Sequence, residues 1–176
     1  MNRFFQTLHR YGGILFGGSS AEPAATIGRY VGPGMTVLAA GAGTEKILAM
    51  LESRIGRDGR LFIASFRKNT DYNATPVLAL HGAGENAALP LDGPEMTADF
   101  AVCIGVAEVA PDNDRLFPQI SAAMRPAGTL LIGEPVHRIR KRRFDGMVSA
   151  AEAAGFIGRP GPVLAGYHTA LLVRTC

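Results

Sequence analysis

At 176 residues with 47% hydrophobic content, the chain is long enough for one domain with a full core and too short for two comfortable ones. A net charge of +3 is too small to argue for nucleic acid by itself, and two cysteines, Cys103 and Cys176, make neither a disulfide framework nor a metal-ligand spacing. No apolar run reaches the roughly 18 residues of a membrane helix, and residues 1–16 lack the long apolar core of a signal peptide, so a soluble cytoplasmic protein is expected.

Phe4, Phe5, Leu8 and Tyr11 recur at helical spacing, which predicts a short helix over residues 2–10, laid on the domain or on a partner. Ser20 can cap a second helix over residues 21–30, which Gly32, Pro33 and Gly34 stop. Residues 35–40 then form an apolar, partly β-branched run, a strand, which Gly41, Ala42 and Gly43 break into a tight turn. A helix follows, with Ile47, Leu48, Leu51 and Ile55 as its apolar stripe. Glycines in such a turn let the backbone approach a ligand, and the helix start behind them presents free N–H groups and the positive end of a dipole. Close packing of a helix on a strand would need the same turn. Thr44 reads as a helix cap or a ligand hydroxyl. Glu45 suits the helix start but would repel a pyrophosphate, which disfavours a dinucleotide cofactor.

Residues 61–66 read as a second strand and 76–80 as a third. The polar connection between them, 67–75, is too short for a regular crossover helix and would leave a sheet face bare. The apolar N-terminal segment is expected to cover that face or to exchange into a second subunit, with a homodimer or a protein partner as the consequence. A buried strand over 99–105 and a helix over 113–124, with Leu116, Phe117, Ile120 and Ala123 inward, continue the alternation. A strand over 129–133 and a helix over 144–154 follow. A closing antiparallel pair is expected between 162–164 and 168–173, around Ala165, Gly166 and Tyr167. Glu108, past the fourth strand, is a plausible base. The four histidines form no cluster, so no metal site is expected, although His137 falls near the expected rim. The basic run from 137 to 143 reads as a solvated helix lead-in with capacity for phosphates, an acidic partner or an anionic membrane. It has no aromatic interleaving, so nucleic acid is not expected.

In their order and spacing, Val31-Gly32-Pro33-Gly34 into Gly41-Ala42-Gly43, Gly56-Arg57-Asp58-Gly59 into the second strand, and Gly84-Glu85 before the fourth make up a pattern that Arg125-Pro126-Ala127-Gly128 before the fifth strand and Ala154-Gly155-Phe156 before the last hairpin complete. From residue 27 onward the chain resembles the class I S-adenosylmethionine-dependent methyltransferases of small-molecule type, in a divergent and shortened form. The resemblance implies an α/β fold, a Rossmann-like doubly wound sheet that is mostly parallel with an antiparallel last strand, in three α/β/α layers. Residues 1–176 then form a single domain with 1–20 as an N-terminal helical extension. It also implies S-adenosylmethionine as cofactor, bound at the carboxyl ends of the strands by Gly41, Ala42, Gly43, Ser65, Gly84, Glu85, Ile104 and Gly105.

Departures from the pattern bear on function. The resemblance implies an acidic residue at the end of the first strand, where Ala39 and Ala40 stand, and another at the end of the second, where Ser65 stands. Ala83 occupies the place implied for an adenine-holding Asp, and Glu45 that of a third glycine. Each charged hydrogen bond lost weakens binding by about 1.5–3 kcal/mol. The resemblance therefore leads to two expectations: a small-molecule methyltransferase, or a methyltransferase-like binding or assembly protein that has lost its cofactor-gripping carboxylates.

Overall fold

In the computed structural model, the described residues are 21–41, 45–66, 78–83, 97–107 and 113–175. The N-terminal segment, the turn residues Ala42 and Gly43, and Gly84, Glu85 and Glu108 lie outside them. A helix α1 (Ala21–Ile27) runs into a 3-10 turn (Gly28–Tyr30) and then into β1 (Thr36–Gly41), α2 (Glu45–Ile55) and β2 (Arg60–Phe66). The chain continues through β3 (Leu78–Ala83), β4 (Ala98–Ile104), α3 (Asn113–Ala122), β5 (Met124–Pro135) and α4 (Lys141–Ala153), and closes with β6 (Phe156–Arg159) and β7 (Tyr167–Arg174).

The strands form a seven-stranded sheet in the order β3-β2-β1-β4-β5-β7-β6. β1 is parallel to both β2 and β4, β4 is parallel to β5, and β7 is antiparallel to β5 and β6. Side chains alternate across the sheet with a period of two, so each buried strand feeds two cores. Val37, Ala39, Phe100, Val102 and Leu131 meet Ile27, Val31 and the α2 stripe of Ile47, Leu48, Leu51 and Ile55. Leu38, Ala40, Ala101, Cys103, Leu130 and Ile132 meet Leu116, Phe117 and Ile120 of α3 and Phe144, Met147 and Ala151 of α4. The expected three-layer, doubly wound architecture is thus present, because the parallel strands read as continuous apolar runs and need helices on both faces.

Two elements differ from expectation. β3 is antiparallel to β2, with Leu61 opposite Ala83 and Phe66 opposite Leu78. A parallel return needs a crossover of a dozen or more residues, and a connection shorter than that returns the strand as a hairpin. Secondly, the partner of β7 is β6 and not residues 162–164. Pro160 and Pro162 have no N–H to give a ladder, whereas Phe156, 2% exposed, anchors β6 in the core. The 160–164 segment crosses β7 instead: Thr169 donates its hydroxyl to the Pro162 carbonyl at 2.7 Å, and Leu164 is buried. Smaller shifts lie at element ends. The expected helix over 113–124 stops at Ala122, and β5 begins at Met124.

The start of β5 carries a kink. Register with β4 jumps from Ala98 opposite Met124 to Phe100 opposite Thr129, and Ala127 sits inside that irregularity at φ 61°. An L-residue there pays about 1–2 kcal/mol, while glycine adds back about 0.4–1 kcal/mol of unfolded-state entropy. Ala127→Gly is therefore expected to stabilise the protein by about 0.5–1 kcal/mol, read as a raised urea midpoint with unchanged slope.

Candidate functional site at the carboxyl edge of the sheet

The order in which strands are added reverses between β1 and β4, since β2 and β3 lie to one side of β1 and β4 to β7 lie to the other. In doubly wound sheets this switch point, outside the carboxyl ends of the strands, is where a crevice opens. Gly41 ends β1 at φ 94°, paired with Ile104 at the end of β4. A Cβ on Gly41 would run into the Ile104 carbonyl oxygen and stand 2.7 Å from Val106 Cγ1. Gly105 follows at φ 65°, its N–H donating to the Gly133 carbonyl at 2.9 Å, and among the described residues no atom lies within 4 Å of where its Cβ would stand. Gly41 is therefore a packing glycine, while a Cβ at Gly105 would meet none of the described residues. Beneath them a small apolar cavity of about 20 Å³, room for one water, lies among Ala39, Gly41, Ile47, Leu48, Ile63 and Ile104.

Around Gly105 the β4–α3 connection is fixed by side chains from distant elements. Glu134, near the end of β5 and 1% exposed, accepts the Ala107 N–H at 2.9 Å. Arg143 of α4 donates its Nη2 to the Ala107 carbonyl at 2.8 Å. Both polar groups of one peptide residue are thus held from opposite sides, which satisfies a segment that has left the sheet ladder. Burial and then the Glu134 carboxylate push the Cys103 thiol far above its usual range. His168 pairs with Glu134 across β5 and β7, its ring 5.5 Å from that of Phe144. Tyr167, half-buried, has its hydroxyl pKa raised by burial, against a lowering by Arg138.

Of the residues implied by the resemblance, Gly41, Ser65, Ile104 and Gly105 come to one edge, on three adjacent strands. Ala42 and Gly43 lie outside the described residues, as do Gly84 and Glu85. The reversed β3, however, ends at Ala83 beside Leu61, at the start of β2, so the chain leaves β3 at the opposite edge of the sheet. His137 is exposed in the turn after β5, at the rim as expected. The basic run is not simply a solvated lead-in: Ile139 is buried and Arg143 is tied to Ala107. Glu134 escaped sequence reading, although an acid at the end of the apolar run from Leu130 to Gly133 was the signal that could have found it. Among the described residues, no three His, Cys, Asp or Glu side chains are grouped as metal ligands. Nor is any helix there long and apolar enough to cross a membrane.

Sequence comparison matches the chain to no protein family and to no curated protein. Its fold is nonetheless similar to known structures. One is an S-adenosylmethionine-dependent methyltransferase from Aquifex aeolicus (TM-score 0.61, 16% identity, 86% of this chain and 88% of that one). Another is fibrillarin from Aeropyrum pernix with natively bound S-adenosylmethionine (TM-score 0.56, 15% identity, 86% and 73%). A third is the cyclase SpnF (TM-score 0.59, 13% identity, 87% and 80%). The chain thus has the fold of the class I S-adenosylmethionine-dependent methyltransferases, at identities where likeness speaks for the fold alone. The backbone at the switch point suits such a cofactor, whereas the end of β1 supplies no acid: Ala39 and Ala40 are both buried and apolar.

Two outcomes check this geometry. Gly41→Ala combines a disallowed φ with a backbone clash and is expected to destabilise by at least about 2 kcal/mol, whereas Gly105→Ala, strained but unobstructed, loses about 1–2 kcal/mol in the same urea titration. Cys103, fully buried with a thiol that stays protonated, is expected to resist iodoacetamide at pH 8 until denaturant is added, as followed by mass spectrometry of the peptide that contains it.

Proposed function

We propose that the chain is an S-adenosylmethionine-dependent methyltransferase-like protein acting on a small molecule. The observation that carries this reading is Gly105, beside the β1–β4 switch point, where a Cβ would meet none of the described residues. Gly41, Ala42 and Gly43 would hold the cofactor from the β1 side, Ile104 and Gly105 from the β4 side, and Ser65 would offer a hydroxyl to its ribose. Gly84 and Glu85, also in the set the resemblance implies, lie outside the described residues, and β3 before them ends at Ala83 beside the start of β2.

When bound, the cofactor supplies a methyl group on a sulfonium, an electrophile that needs little acid–base help. The contribution of the chain is then positional. Glu134 and Arg143 hold the Gly105–Ala107 backbone in place, the apolar ends of β1 and β4 exclude water, and the acceptor is kept in line by the rim. A serine at the end of β2 and alanines at the end of β1 supply no charged grip, so binding is weak.

The second reading, a methyltransferase-like binding or assembly protein without methyl transfer, is favoured by those same uncharged strand ends. A similar structure that is named a cyclase fits it too. Residues 1–20 would then serve a partner or a second copy, and light scattering of a chain lacking residues 1–18 would report the change in mass.

Titration calorimetry with S-adenosylmethionine and S-adenosylhomocysteine separates the two. The first reading expects dissociation constants above about 1 μM and a tightening of roughly tenfold or more in Ser65→Asp, since a carboxylate can accept from both ribose hydroxyls. Absence of binding in both proteins supports the second reading. Tighter wild-type binding overturns the role given to the missing carboxylates.

A further inference from the structure

The rim above β5 carries more positive charge than the fold needs. Arg140, Lys141, Arg142 and Arg143 are all exposed, yet they open α4, whose first turn holds no acid and whose cap residue, Arg140, makes no side-chain cap hydrogen bond. Cations at the positive end of a helix destabilise it, so a sequence that collects them there works against its own helix. Lys141 is compensated by Asp145, one turn on. The arginines have no such partner in the helix.

Arg143 adds direction to this charge. Its bond to the Ala107 carbonyl draws the guanidinium from α4 across to the segment that follows Gly105 at the end of β4. One of its five N–H donors is spent there, and the planar fork keeps others for a ligand. Arg140 lies one turn earlier on the same face of the helix, with its carbonyl accepting the Arg143 N–H at 3.0 Å. Among the described residues, the carboxylate that shares this site is Glu134, buried and bound to the Ala107 N–H, and Asp145 is taken by Lys141. The influence of Arg138 on the Tyr167 hydroxyl extends the positive field along the rim toward β7.

We infer that the acceptor carries an anionic group, a carboxylate or a phosphate, and that Arg143 with Arg140 beside it receives that group at the rim between β4 and β5. This rests on the methyltransferase-like reading for the place of the acceptor, but the anion site itself is testable without cofactor. Wild type, Arg140→Gln, Arg143→Gln and the double variant are titrated with inorganic pyrophosphate and, separately, with succinate, while backbone amides are followed by NMR. The expected result is a saturable shift confined to residues 105–107 and 138–144, with the dissociation constant rising roughly tenfold for each arginine removed. Arg57→Gln, in the turn before β2 at the other edge, is expected to leave it unchanged. If Arg143→Gln fails to fold because Ala107 is released, Arg140→Gln alone carries the test.

A response to pyrophosphate only assigns a phosphate, and a response to succinate only a carboxylate. Shifts spread over all exposed cations, no saturation with either anion, or insensitivity to both arginines would overturn the inference. Binding of phosphatidylglycerol vesicles or a single-stranded RNA through these arginines, with neither small anion bound, would overturn it as well. S-adenosylhomocysteine is titrated in parallel: its failure to bind, with the anion response intact, removes the cofactor reading and leaves the anion site standing.

Discussion

β1 is buried on both faces and hydrogen-bonded along both edges, and the remaining elements take their places from it. Val37 and Leu38 are fully buried on opposite faces, so the strand needs a helical layer on each side. Its last residues are small for a related reason. Ala39 and Ala40 leave little volume where the chain must turn off the sheet, and at Gly41 even a Cβ would strike the β4 backbone. The close fit of β1 to β4 at the switch point is thus a requirement of packing, before any ligand is considered.

That origin explains which parts of the molecule were legible in the sequence. The parallel strands and their helices could be read because burial on two faces demands unbroken apolar runs and amphipathic stripes, which are local signals. The direction of β3 is not local. Residues 67–75 are short for a crossover helix, and the physical alternative to such a helix is a reversed strand, which brings the end of β3 at Ala83 beside the start of β2. β6 was hidden by composition: Phe156-Ile157-Gly158-Arg159 is short and contains a glycine, whereas the more apolar stretch after it is interrupted by Pro160 and Pro162. Glu134 was hidden because the group that justifies its burial, the Ala107 N–H, belongs to a segment 27 residues away.

The candidate site divides in the same way. Its backbone geometry follows from glycines at positive φ, Gly41 and Gly105, which stand together at the carboxyl edge of the sheet. What the sequence could not convey is that the two glycines do different work. Gly41 is needed for packing whether or not a ligand binds, while a Cβ at Gly105 would meet no obstacle among the described residues. A glycine pattern taken as one motif merges a structural requirement with a functional opportunity, and the clearance around each Cβ separates them.

The two edges of the sheet show the same separation on a larger scale. At the amino edge, Asp99 accepts the Thr36 N–H at 2.7 Å and the Arg125 Nε at 2.7 Å, so one carboxylate ties the starts of β1, β4 and β5 together with its charge answered. At the carboxyl edge the buried carboxylate, Glu134, accepts a backbone N–H, and α4 begins with cations and no acid in its first turn. Both edges face the same solvent and are built on the same strands, so burial cannot account for the difference. An edge in which local charge opposes the helix that carries it retains binding capacity that folding has not consumed. In a fold that hosts many chemistries, that imbalance, more than the topology, sets the carboxyl edge of this sheet apart from its amino edge.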